Sequence, residues 1–324
     1  MTHDALAMLP KIHGPIPEEP YRTHIRQFLL KLYQDRYALS TIATYGWHLN
    51  KLGVWLGEKG IFDPEQVDSL VVIEWGSRSR TIYSPQTHKQ CAVVTKSYFK
   101  FLFEMKYCSE QVAITVDKLL AIPKVDITLQ RTFNEEELTL LLSTCKDASI
   151  RGIRDYAIIA LLLDTGLRAG ELCQIKVSDI DFLNRTIPII GKGGGHEQVY
   201  FSQKCQDALQ NWIEVRSTIE IKSEKLFIAI GGLTPGKEIT TRGLRSIVQK
   251  IGRKANVENV HPHAFRRSFA TLRIKTKGQS TRGVQRLGRW QNLQTFERYT
   301  QALMVDDEFA RREANNYSLL ADVM

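Results

Sequence analysis

Long apolar runs are missing from this 324-residue chain. Its most apolar stretch, around Ile158–Leu163, falls far short of the roughly 20 residues a membrane-spanning helix needs, so no membrane span is expected. The opening MTHDALAMLPKIHGPIPEEP has neither a basic leader nor a sustained apolar core, which argues against a secretory signal and for a cytoplasmic protein. Cysteine is scarce: Cys91, Cys108, Cys145, Cys173 and Cys205 are odd in number, scattered, and include no C-x-x-C pair. They read as buried or idle thiols rather than a disulfide framework or a thiolate metal site. Acidic residues are the minority charge, with 35 Asp and Glu against 44 Lys and Arg, a formal net charge of +9. Such a balance favours a polyanionic partner, nucleic acid or an anionic surface.

What is present suffices for real cores. Hydrophobic residues make up 43% of the chain and charged residues 24%, and the length suggests two domains. Residues 1–20, rich in proline and without apolar period, read as a flexible lead-in. From 21 to 107 the pattern is helical: Ile25, Phe28, Leu29 and Leu32 repeat at helical spacing, as do Ile42, Tyr45, Leu49 and Leu52. Ser40 is a plausible N-cap, and Asp63-Pro64 and Ser84-Pro85 look like helix starts with proline in the first turn. Periodicity weakens over 108–131, the expected linker. Residues 132–324 form the second domain, opened by an Asn134/Glu137 capping arrangement and a helix from Ile153 to about Thr165. Two strands, 186–190 and 197–201, flank a glycine-rich turn. The expected class is mainly α with a small β-sheet: a helical bundle, then an α+β domain.

Several residues could carry chemistry, and each has an ordinary reading when taken singly. Arg168 lies between Gly166, which suits positive φ, and Gly170, which allows close packing, with Glu171 nearby. A plain surface helix-turn-helix has the same look. Lys192 sits on the glycine-rich turn, where a hairpin tip could bring an ammonium to a phosphate; a solvated tip is the alternative. The turn lacks the Ser or Thr of a nucleotide-binding P-loop. His263 and Arg266 share one helical face, a pairing suited to a phosphate. His261 reads as a helix cap, and Arg267 and Arg273 as a solvated basic face. No carboxylate or cysteine stands at ligand spacing from the histidines, so neither a metal nor a cofactor is expected. Trp290 and Tyr299, alone, are ordinary packing residues.

Their order is more telling. TGLRAGEL, GKGGG, HPHAFRRSFAT and LGRWQNLQTFERYT together resemble the four catalytic patches of the tyrosine recombinases, the phage integrase and Xer-like family. The stretch from Ser40 to Leu56 resembles that family's SAM-like core-binding domain. Two positions depart from the common pattern: Trp290 stands where a second histidine is frequent, and Arg267 follows the second patch arginine in place of histidine.

The resemblance implies a site-specific recombinase that integrates, excises or resolves DNA. Tyr299 would attack a DNA phosphate to form a 3'-phosphotyrosyl link. Arg168 and Arg266, with His263 and Trp290 as donors, would stabilise the transition state. Lys192 would protonate the leaving 5'-oxygen, and Glu171 would hold Arg168. The implied partners are double-stranded DNA, three further copies in a homotetramer on paired sites, and accessory DNA-bending or directionality proteins. Residues 306–324 would form a helix docking on a neighbouring copy, and bound protein would be nucleoid-associated. Two other readings stand beside it: a noncatalytic DNA-binding regulator that retains the fold, and a type IB topoisomerase-like enzyme that shares the chemistry but relaxes supercoils without sequence preference.

Overall fold

The structure, a computed structural model, describes residues 9–125, 131–191, 195–232, 234–275, 279–293, 296–297, 300 and 303. It divides into two compact units, Met1–Asp126 and Ile127–Met324. Among the described residues no helix is long and apolar enough to cross a membrane.

The first unit is helical. α1 (Tyr21–Gln34) and α2 (Leu39–Glu58) bury the stripes their spacing predicts, including Ile25, Phe28, Leu29, Ile42, Leu49 and Leu52. α2 begins at Leu39 behind an extended Ala38, not behind Ser40. Its first residues are exposed, so water satisfies their N–H groups and no side-chain cap is required. Asp63-Pro64 starts only one 3-10 turn, Pro64–Gln66; α3 (Ser69–Ile82) follows, capped by Asp68. α4 (Pro85–Glu104) starts at Ser84-Pro85 as expected.

Two stretches differ from expectation. The predicted linker, 108–131, opens with a helix, α5 (Glu110–Leu119), packed on α3 and α4. Val112, Val116 and Leu120, spaced by four, bury in the first unit's core, a stripe too narrow to stand out in sequence. The lead-in, for its part, has Ile12 and Pro17 seated against α2 where Gly46 and Gly53 leave room. A Cβ at Gly53 would fall 2.8 Å from Pro17 Cβ, and one at Gly46 would overlap Ile12.

In the second unit, α6 (Glu135–Thr144) starts with the expected capping box of Asn134 and Glu137. α7 (Ile150–Thr165) carries the most apolar stretch through the core, with Ala157, Ile158, Ile159, Leu161 and Leu162 all buried. α8 (Ala169–Gln174) follows a tight turn. β1 (Thr186–Ile190) and β2 (His196–Tyr200) pair antiparallel, with Ile190 opposite His196. α9 (Gln203–Ser217), α10 (Thr241–Lys254) and α11 (Pro262–Lys275) enclose α7. α12 (Thr281–Leu287) then leads into a smaller cluster in which Phe269, Val284, Trp290, Phe296 and Leu303 are buried together.

Candidate active site

The site forms where α7 ends. Gly166 terminates that helix at φ +61°, as its sequence setting predicts, and a Cβ there would fall 2.8 Å from the Phe269 ring. The chain turns and α8 begins, with Arg168 as its N-cap residue. Glu171 closes the turn: its Oε2 accepts from the Arg168 backbone N–H at 2.8 Å, and its Oε1 from Arg168 Nη1 at 2.6 Å. Glu171 is buried (side chain 7% exposed), whereas Arg168 is 37% exposed and keeps part of its guanidinium toward solvent. Among the described residues nothing lies within 4 Å of a Cβ placed at Gly170, so none of them makes the expected close approach.

Arg266 comes from α11 and is 1% exposed. Its Nη1 donates to the Gly166 carbonyl and its Nη2 to the Gly288 carbonyl, the latter at 2.6 Å. The Trp290 ring covers the guanidinium at 4.3 Å. Two carbonyl dipoles and an indole face hold the cation. Trp290 is itself 5% exposed and wedged between Phe269 and Phe296. Gly288 is required there, because a Cβ would overlap three carbons of the Trp290 ring.

His263 occupies the next turn of α11 toward its start. It keeps an open surface, yet protein crowds it enough that loss of hydration, then Arg267, Arg266, His261 and Arg168, lower its pKa to about 4. The imidazole is therefore neutral at pH 7. Burial alone would raise the Glu171 pKa, but Arg289 and the N–H groups of Arg168 hold it below the ordinary carboxylate value. His261 caps α11 as expected, its Nδ1 accepting from the Ala264 N–H at 3.1 Å.

The structure thus brings Arg168, Glu171, His263, Arg266 and Trp290 together. Lys192 and Tyr299, the remaining sequence candidates, lie outside the described residues, as do residues 306–324. Arg273 is not on a solvated face. It donates to the Asp164 carbonyl at 2.9 Å and lies 4.7 Å from the Phe269 ring, bracing the end of α7. Sequence reasoning also passed over Arg289 and Glu197, joined to the cluster through Glu171. Only an arginine just past a helix-ending glycine hinted at the first, and its carboxylate partner is 118 residues distant. A cavity of about 590 Å³ at the far end of α7, lined by Asp147, Arg151 and Lys250, contains none of these residues. Among the described residues no group of three or more His, Cys, Asp or Glu side chains is placed to hold a metal ion.

An arrangement of this kind, fixed cations around a neutral imidazole, suits a phosphodiester rather than a small apolar ligand. The sequence profile of the phage integrase family matches residues 131–305, more than half of the chain, and the chain belongs to that family of tyrosine recombinases. It is 34% identical over 183 residues to the tyrosine recombinase XerC of Staphylococcus carnosus (strain TM300). Identity is 35% over 182 residues to XerC of Staphylococcus aureus (strain USA300 / TCH1516). Each match covers 56% of this chain and 60% of the relative's length. Among solved structures, a XerH site-specific recombinase bound to palindromic difH substrate, in a post-cleavage complex, aligns with a TM-score of 0.70 at 20% identity. That alignment spans 98% of this chain and 93% of XerH. A lambda integrase dimer bound to a COC' core site aligns with a TM-score of 0.65 at 12% identity, spanning 86% and 94%. At these identities the likeness is one of fold.

Proposed function

We propose that this chain is a site-specific DNA recombinase that cuts and rejoins strands through a phosphotyrosine at Tyr299. The observation that carries the reading is the convergence of Arg168, of His263 and Arg266 from one helix, and of Trp290, from three stretches of sequence, at the end of α7. In the proposed cleavage, the Tyr299 oxygen bonds to phosphorus and the bond to the 5'-oxygen breaks. His263, neutral near pH 7, accepts the phenol proton, and Lys192 donates a proton to the leaving oxygen. Arg168 and Arg266 offset the charge that grows on the nonbridging oxygens. The reverse attack by a 5'-hydroxyl from a second duplex completes exchange and conserves the bond energy. The XerC relatives and the DNA-bound recombinase folds support this reading.

In the same proposal the first unit is the core-binding half, which holds the duplex mainly through phosphates. The α10 surface, exposing Arg242, Arg245, Gln249 and Arg253, adds basic contacts in the second unit. Exchange on paired sites brings four copies together, with residues 306–324 reaching a neighbour, in the cytoplasm and on the nucleoid. Accessory proteins set direction.

The test is covalent capture. Wild type and Tyr299→Phe are incubated, without ATP or metal, with nicked duplexes bearing a randomised core, and denaturant-resistant adducts are isolated. Adducts in wild type alone support the proposal. Adducts that persist in the variant sink the nucleophile, and tight binding without adducts points to a noncatalytic regulator.

A further inference from the structure

Arg289 stands outside the four sequence patches' expected roles, and three observations set it apart. Its φ is +58°, a left-handed value that glycine adopts freely and an arginine adopts only with strain. Its side chain is 6% exposed, so a guanidinium has been withdrawn from water. It also bridges two carboxylates from different parts of the fold. Nη2 lies 3.0 Å from Oε2 of Glu171, and Nη1 lies 3.7 Å from Oε2 of Glu197. Glu171 is in the first turn of α8 and holds Arg168. Glu197 is on β2, with its carboxyl against Gly191 at the base of the hairpin; a Cβ at 191 would meet that carboxyl at 2.8 Å.

We propose that Arg289 is a positioning residue for strand cleavage, acting through Glu171 on Arg168 and through Glu197 on the base of the hairpin. The proposal rests on the function given above and deepens it. Glu171 Oε1 accepts from Arg168 Nη1, and Oε2 accepts from both the Arg168 backbone and Arg289. With Oε2 filled, Arg168 cannot fork onto Glu171 through two parallel bonds, so the rest of its guanidinium stays available to a phosphate. A side chain retained only for packing would not place a guanidinium, in a backbone conformation that favours glycine, between two acids. The hydrogen bond to Glu171 and the longer ion pair to Glu197 run from one residue, so the start of α8 and the base of the hairpin share a contact.

The experiment compares wild type, Arg289→Gly, Arg289→Gln and Arg289→Lys. The probe is a nicked duplex recovered from the randomised library by capture on wild type. Adduct formation is followed in single turnover across protein concentrations. Arg289→Gly, which relieves the backbone, is expected to slow the rate at saturation by about tenfold or more with half-saturation little changed. Arg289→Lys is expected to recover much of that loss. A probe with a neutral methylphosphonate at the cleaved position needs less cationic help, so the Arg289→Gly defect should shrink on it. Should Arg289→Gly not fold, Arg289→Gln answers the same questions. Unchanged rates, or weaker binding with an unchanged saturated rate and no advantage of lysine over glutamine, overturn the proposal. If wild type captures no DNA, the recombinase reading fails, and a crystal structure of Arg289→Gln decides the positioning role. Arg168 forked onto Glu171 upholds it; Arg168 in its present single bond overturns it.

Discussion

Replacing Gly288 by alanine sets two general rules against each other. Gly288 has φ −84°, a value alanine accepts, so backbone entropy by itself predicts stabilisation by about 0.4–1 kcal/mol. The new methyl, however, would overlap three carbons of Trp290, whose ring is already packed by Phe269 and Phe296 and nearly excluded from solvent. Overpacking of this kind costs roughly 1–3 kcal/mol. The steric effect exceeds the entropic one over most of that range, so net destabilisation of about 1–2 kcal/mol is expected. For a unit near 200 residues this lowers the midpoint of thermal unfolding by about 2–8 °C. Function should suffer more than stability, because Gly288 also supplies the carbonyl that accepts from Arg266 and Trp290 is the face that covers it. The assay is calorimetry alongside covalent capture. A double variant, Gly288→Ala with Trp290→Leu, should lose less than the sum of its two single changes, since the smaller side chain gives the methyl room. A rise in the unfolding temperature of Gly288→Ala, with capture unimpaired, would refute the packing argument.

Gly170→Ala should behave oppositely, gaining about 0.4–1 kcal/mol with unchanged capture, because no described residue lies within 4 Å of a Cβ there and the position is in the first turn of a helix; a loss of thermal stability would overturn that expectation. His263, with a folded pKa of about 4 against the ordinary 6.5, binds its proton more weakly folded than unfolded. Its contribution is therefore complete above pH 6.5 and is lost as pH falls toward 4, so His263→Gln should flatten the fall of unfolding temperature over that window. Glu171 acts lower: its pKa is depressed when folded, so its contribution is present above the usual carboxylate range and lost as pH falls through the folded value. Glu171→Gln should remove part of the acid sensitivity below pH 4.5, measured by denaturant midpoints. Burial raises the thiols of Cys91, Cys108 and Cys173 to about 11 and that of Cys145 to about 12. Native protein should thus react with a thiol reagent far more slowly than unfolded protein at pH 8, and rapid labelling would contradict the buried placement.

Local rules were legible where one short stretch contains both partners. The capping box of Asn134 and Glu137, the Ser84-Pro85 helix start, the left-handed Gly166 and the paired strands around the glycine-rich turn each depend on neighbours a few residues apart. Reading failed where the deciding partner was distant or the signal narrow. α5 buries only a thin stripe, so its sequence resembled a linker. Arg273 looked like one more surface cation because Asp164 and the end of α7 are brought to it only by folding. At Gly170, where the sequence suggests close packing, no described residue comes near.

The sequence by itself determined the elements, the two-part organisation, the basic character and the ordered patches whose resemblance points to the family, since helix period, caps and motif spacing are local properties of the chain. The tertiary structure decided which charges meet. A carboxylate can serve these two arginines only if two distant segments meet, as the start of α8, with Arg168 and Glu171, and the turn after α12, with Arg289, do. The burial of Arg266 beneath Trp290 and the neutral state of His263 likewise follow from the removal of water and the crowding of cations. Those effects depend on distance through space, which no spacing along the chain encodes.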